Sequence, residues 1–352
     1  MSDKKNALKW LGILIALMFG VVALVTYLFD PFYQYHEPYF GLKNVFYNRD
    51  YQMPGTVENL SYDSVLIGSS VAENFDGDFI DEKFNCNTLK IIRASGSCAD
   101  LLHYLSIAHQ KQELKKVFWC MDIFALISST EVTVDSDKAL KYLHTDTILD
   151  DATYLFNKDV LFKEIPLFAA YSVMGMYTDG KAYDWSKGKE FSVAKAMVAY
   201  KKPEEVMAEQ PHEEQLEQLN QNLNNVLDEI NSHPEIEYTI MFPPYSLLWW
   251  DNGYVNGMGG LYLQVVEEAL TALCDCENVK LYYFQSDRDI VCNLDNYMDV
   301  LHYSPAINQY MLECVLEDSY RVTSDNVEET IEEMRNTFEY IITEGIYQYY
   351  TE

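Results

Sequence analysis

The sequence predicts an α/β protein whose parallel sheet is covered by helices on both faces, carried behind one N-terminal transmembrane helix. Three observations predict this. Short apolar runs alternate with amphipathic stretches from residue 63 onward, one uncharged run near the start is 20 residues long, and the 352-residue chain is 49% hydrophobic and 23% charged. That balance belongs to a globular protein and excludes a disordered or collagen-like one.

The uncharged run extends from Trp10 to Phe29. At ~1.5 Å per residue it covers the ~30 Å hydrocarbon core of a bilayer. It is longer than an ordinary signal core and ends in Leu28, Phe29, Asp30, Pro31 without a small-residue cleavage site, so it reads as an uncleaved anchor. Lys4, Lys5 and Lys9 precede it and Asp30 follows. The positive-inside bias then keeps residues 1–9 in the cytoplasm and places the rest outside, as a single-pass cell-membrane protein. The aromatic segment 30–60 follows, where Asp30, Pro31, Phe32, Tyr33, Tyr35 and His36 read as an interfacial belt.

Strands are expected at Ser64 to Ile67, Leu89 to Ile92, Val117 to Met121, Tyr238 to Phe242 and Val279 to Phe284, each a short run bounded like a buried strand. Between them, Glu213 to Ile230 sets Leu216, Leu219, Leu223, Leu227 and Ile230 on one helical face, and Leu261 to Leu273 has the same period. Strand and helix in alternation imply a parallel sheet, so residues 61–322 form the main domain. An insertion at about 128–202 breaks the pattern with Tyr154, Phe156, Phe162, Phe168 and Tyr171. It reads as a packed subdomain ahead of a cover for the site or a membrane contact. Residues 323–352 form a helical tail with Asp325 as its cap and Glu328 three positions on.

Twenty-five Lys and Arg against fifty-five Asp and Glu give a net charge of −30. A phosphate backbone is repelled by such a surface, which excludes nucleic acid as a partner. The seven cysteines are too few for a disulfide scaffold in a chain this long. Cys274 and Cys276 have neither a second pair nor a nearby histidine, so no metal and no cofactor is expected.

Sheets of this kind bind ligands beyond the carboxyl ends of their strands. The first strand runs into Gly68, Ser69 and Ser70, a strand-to-helix turn that exposes a hydroxyl beside unpaired amides. Alone, such a turn is a helix cap more often than a nucleophile. A serine needs a base, and His302 lies in the loop entering a helix begun by Ser304 and Pro305, with Asp299 three positions earlier to orient its ring. In isolation an Asp-His pair is a surface feature.

Gly68-Ser69-Ser70, Ser95-Gly96-Ser97 and Asp299-x-x-His302, in that order and spacing, resemble the SGNH/GDSL hydrolase superfamily. The anchor, Asp30-Pro31-Phe32 and Phe242-Pro243-Pro244-Tyr245-Ser246 look like the membrane-anchored exported SGNH-like proteins of Gram-positive bacteria. The resemblance implies a three-layer α/β/α flavodoxin-like domain with Ser70 as nucleophile, His302 as base and Asp299 as orienting acid. It also implies an oxyanion hole from the amides of Ser70 and Gly96.

Where the family supplies an asparagine, this chain has Asp122. Either that carboxylate points elsewhere and orders the loop, or the site is weak, or its activity is lost. Trp249, Trp250 and Tyr245 are candidates for stacking on sugar rings. The expected function is a serine esterase or O-acyltransferase acting on acyl groups of a cell-envelope polysaccharide or other acylated glycan. The alternative is an inactive envelope protein of the same fold that binds a glycan or partners a membrane-bound acyltransferase.

Overall fold

The computed structural model describes residues 2–134, 140–145, 147–178, 180, 182–198, 200–201 and 205–350. Of the expected insertion, residues 135–139, 146, 179, 181, 199 and 202 lie outside the described residues, as do residues 351–352 of the tail. The chain divides into two compact units, Met1–Ser61 with Val134–Tyr183, and Tyr62–Thr133 with Asp184–Glu352.

The first unit begins with the helix Ser2–Phe29, of which Lys4–Phe29 is long and apolar enough to cross a membrane. The helices Ile148–Leu155 and Ile165–Met174 and the π-helical turn Val160–Glu164 contact it. At its end Asp30 is buried, and its carboxylate accepts the amides of Gln34 (2.9 Å), Tyr35 (2.7 Å) and His36 (3.2 Å) and the Tyr154 hydroxyl (2.8 Å). Burial pushes this carboxyl up, while those bonds pull it down in part. Phe32 and Tyr33 are buried too, Phe32 against Leu140, Leu143 and Tyr154. This corrects the reading of these residues as an interfacial belt: they are the core of the unit, because four donors to Asp30 fold the chain back on itself. His36 does stay at the surface, its ring stacked on Tyr39 at 3.8 Å.

The second unit holds a mixed α/β arrangement of helices about a six-stranded, mostly parallel sheet. In chain order the strands are β1 (Ser64–Gly68), β2 (Thr88–Ile92), β3 (Lys116–Cys120), β4 (Glu237–Phe242), β5 (Val279–Tyr283) and β6 (Arg321–Val322). Their spatial order is β2-β1-β3-β4-β5-β6, which for the first five is a doubly wound order. Val65, Leu66, Ile67, Val117, Phe118, Tyr238 and Ile240 are fully buried, as strands covered on both faces must be. Each such side chain contributes about 1.5–3 kcal/mol.

Two expectations change here. The sheet is not wholly parallel, since β6 pairs antiparallel with β5. Asp318 and Tyr320, both at left-handed φ (56° and 61°), turn the chain round after the helix Pro305–Glu317. The tail helix is Val327–Tyr340 and starts from Asn326 rather than Asp325, because Asn326 Oδ1 accepts the Thr323 amide at 2.8 Å and closes the preceding turn.

Gly68 is paired with Ile92 on one side and Cys120 on the other, so β1, β2 and β3 end in register. A methyl group on Gly68 would meet the Cys120 carbonyl oxygen at 2.9 Å and the Ala72 Cβ at 2.8 Å. Gly68→Ala is therefore expected to destabilise the fold by about 1–3 kcal/mol, the usual cost of overpacking. A urea titration followed by circular dichroism checks this, and an unchanged midpoint would contradict the close packing at the end of β1.

Candidate active site

Ser70 opens a single 3-10 turn, Ser70–Ala72, and not the full helix expected after β1; the next helix begins at Gly77. A single turn of this length lacks the dipole of a full helix. Ser69 precedes it in extended conformation and its hydroxyl accepts the Val71 amide at 3.5 Å.

The carbonyls of this turn are held from three distant places. Trp185 Nε1 donates to the Ser70 oxygen at 2.8 Å, Asn308 Nδ2 to the Val71 oxygen at 3.0 Å, and Lys90 Nζ to the Glu73 oxygen at 3.0 Å. Asn308 and Lys90 are buried, so these bonds form away from competing water. Burial also lowers the Lys90 ammonium to about 8.

Ser70 Oγ lies 2.8 Å from His302 Nε2, across 232 positions of sequence. His302 Nδ1 lies 2.8 Å from Asp299 Oδ2. Asp299 Oδ1 accepts the amides of Leu301 (2.9 Å) and His302 (2.7 Å), so one carboxylate folds the loop and also orients the ring. Burial raises the Asp299 carboxyl, but the bonds from the His302 ring and amide outweigh it and hold the group below the usual carboxylate value. The loop is braced by a bridge between Tyr297 and Tyr303, both buried, and by the Tyr297 hydroxyl on the Pro244 oxygen at 2.9 Å. Ser70 is half-buried and the side chains of His302 and Asp299 remain 24% and 26% exposed, open enough for a substrate to reach.

The other candidate residues fare differently. Gly96 follows β2, but its amide donates to the Arg93 oxygen at 2.9 Å; the left-handed φ of Ser95 (51°) closes that turn. In this conformation the amide is not free to hold an oxyanion. Asp122 follows β3 and is 1% exposed. It accepts the Tyr245 hydroxyl and is faced by the hydroxyl and amide of Ser69. It therefore points to the underside of the Ser70 turn. Burial raises its carboxyl to about 6 against the pull of those donors.

Tyr245 and Trp250 are buried and Trp249 is 9% exposed, stacked on Tyr262 at 4.4 Å, while Trp250 packs edge-on against Phe338. This corrects their assignment as sugar platforms. The helix Leu247–Val255 turns Trp249 and Trp250 into the core, and Tyr245 is held there by its bond to Asp122.

Trp185 is the residue that sequence reasoning missed. Besides its bond to Ser70, its ring meets the His302 ring edge-on at 5.2 Å. No spacing or motif marks it, since it lies 115 positions from Ser70.

His109, Glu229 and His233 bring potential metal-ligating atoms within 4.8 Å of one another. His109 Nε2 meets Glu229 Oε1 at 2.6 Å, and the two imidazoles stack at 3.9 Å with an interplanar angle of 10°. An imidazole binds metal in its own plane, and no ion can lie in two parallel planes at once. As placed, these residues form a hydrogen-bonded stack.

No family model matches the chain, and no curated protein matches it. Among solved structures it is similar to one described as "a putative platelet activating factor from Streptococcus pneumonia", at 13% identity and a TM-score of 0.35, over 76% of this chain and 90% of that one. A likeness that loose carries no argument, so the chemistry rests on the residues.

The raised Asp122 carboxyl carries a stability signature. A folded-state value near 6, against about 3.9 in the unfolded chain, favours the protonated folded form and makes stability fall as pH rises from about 4 to 6. Asp122→Asn cannot titrate and is expected to remove that slope, gaining up to about 3 kcal/mol over the natural protein at pH 7. Urea midpoints at pH 4 and pH 7 for both proteins check this, and parallel pH dependence would refute the assignment.

Proposed function

We propose that the protein is a membrane-anchored serine esterase or O-acyltransferase of SGNH/GDSL type that acts on acyl groups of a cell-envelope glycan. The observation that carries the reading is the relay of two 2.8 Å contacts from Ser70 Oγ through His302 to Asp299. It is the arrangement a serine requires to become a nucleophile near neutral pH. The motif order noted above and the apolar helix Lys4–Phe29 support the family and the anchoring. The lysines before that helix favour a cytoplasmic N-terminus and an extracytoplasmic main domain.

In the proposed reaction Ser70 Oγ attacks the ester carbonyl while its proton passes to His302 Nε2, and Asp299 stabilises the imidazolium. The tetrahedral oxyanion meets the Ser70 amide. Collapse breaks the ester C–O bond, the leaving alkoxide takes the proton from Nε2, and the acyl group stays on Ser70. Water or a sugar hydroxyl then gives its proton to His302 and attacks the acyl carbon; the Ser70 Oγ–acyl bond breaks and His302 returns that proton to Ser70 Oγ, so hydrolase and transferase share every residue named.

A second reading has its own support. The Gly96 amide is engaged by Arg93 and an acid stands where an asparagine is expected, both of which suit a non-catalytic protein of the same fold that binds a glycan or partners a membrane-bound acyltransferase.

A fluorophosphonate probe separates the two. The full chain in detergent is expected to label covalently at one site, with labelling abolished in Ser70→Ala and His302→Ala; an unlabelled natural protein would leave only the second reading. Asn308→Ala removes a carbonyl partner of the turn without touching the reacting groups. It is expected to slow labelling about tenfold, on the order of one lost hydrogen bond. Labelling at the natural rate would refute its positioning role.

A further inference from the structure

The first unit carries an apolar surface that the proposed function does not use. From Lys4 the helix Ser2–Phe29 is exposed on all sides only as far as Val21. The freely exposed apolar part, Trp10 to Val21, is 12 residues, or ~18 Å at ~1.5 Å per residue, well short of the ~30 Å a bilayer core requires. To span that thickness the membrane must also enclose Val22 to Phe29, the part flanked by other helices. Phe19, ten positions before Phe29 and so ~15 Å along the axis, has its ring 5.3 Å from that of Phe156. Whatever surrounds the last turns of the long helix therefore also surrounds its neighbours.

Those neighbours present the side chains such a setting requires. Ile148 is 86% exposed, Leu149 79%, Phe162 77%, Val173 81% and Met174 67%. Single exposed apolar residues are ordinary, but here five lie on elements that all contact the long helix, a concentration of the kind that marks an interaction surface. The two exposed lysines among them are paired, Lys158 with Asp159 at 2.8 Å and Lys163 with Glu164 at 2.7 Å. Long stems of this kind reach a headgroup layer while their carbons stay in lipid.

We propose that the segment Ile148–Met174 is a second membrane-contacting element, seated in the bilayer leaflet from which the long helix emerges, with lipid acyl chains against Ile148, Leu149, Phe162, Val173 and Met174. This rests on the reading that Lys4–Phe29 crosses the membrane. The unit would then combine one spanning helix with shorter helices lying in the interface beside it.

The full chain is reconstituted into vesicles of phosphatidylcholine brominated on its acyl chains near the headgroup, in a Trp10→Phe parent that lowers the background. Phe162→Trp and Met174→Trp probe the patch, Leu17→Trp the long helix, and Tyr347→Trp the other unit. Emission lost in the brominated vesicles for Phe162→Trp and Met174→Trp, but not for Tyr347→Trp, is the expected result. Quenching confined to Leu17→Trp would overturn the inference and leave the spanning helix standing. If Leu17→Trp is also unquenched, the crossing and this inference fall together.

Discussion

The hydrogen bond between Ser70 and His302 is the constraint on which the candidate site depends, because it joins residues 232 positions apart. No local preference brings them together. The meeting is a property of the parallel sheet, whose β1, β2 and β3 end in register at one edge and deliver the Ser70 turn, the Gly96 turn and Asp122 to a common boundary. The His302 loop reaches that boundary because buried Tyr297 and Tyr303 and the doubly accepting Asp299 leave its backbone one compact arrangement. Packing thus positions a relay whose net hydrogen-bond energy alone would not hold two loops in place.

Around that contact, the protein spends buried polar groups on the turn carrying Ser70. Three carbonyls accept side-chain donors from Trp185, Asn308 and Lys90, and Asp122 lies against Ser69 from below. Buried polar groups are costly unless satisfied, and satisfied they rigidify what they touch. Burial of Asp122 outweighs the pull of its donors and raises its carboxyl. A negative charge on Asp122, beneath the Ser69 backbone, would oppose any negative charge that formed at the Ser70 turn.

The first unit is organised by another buried acid. Asp30 gathers three amides and a phenol at the end of the long helix and folds the following aromatic residues into a core with Tyr154 and its neighbours. Outer positions of the same helices stay apolar and uncovered. A satisfied acid inside and exposed apolar side chains outside are the two features that distinguish this unit.

Much of this was legible in the sequence wherever the signal is local. Five strands stand at the apolar runs, shifted by at most a residue at either end, because burial on both faces demands continuous hydrophobicity. Pro305 begins its helix where its fixed φ and missing amide suit it. Ser70, Asp299 and His302 could be singled out because the Gly-Ser-Ser turn and the Asp-x-x-His spacing are local chemistry. The tertiary structure alone decided the rest. Antiparallel β6, the engaged Gly96 amide, the direction of Asp122 and the burial of Tyr245, Trp249 and Trp250 depend on which distant element arrives at each place. The same holds for Trp185 beside His302. Periodicity tells which face of a segment turns inward, but not what it meets there, since that partner is chosen by the packing of the whole chain.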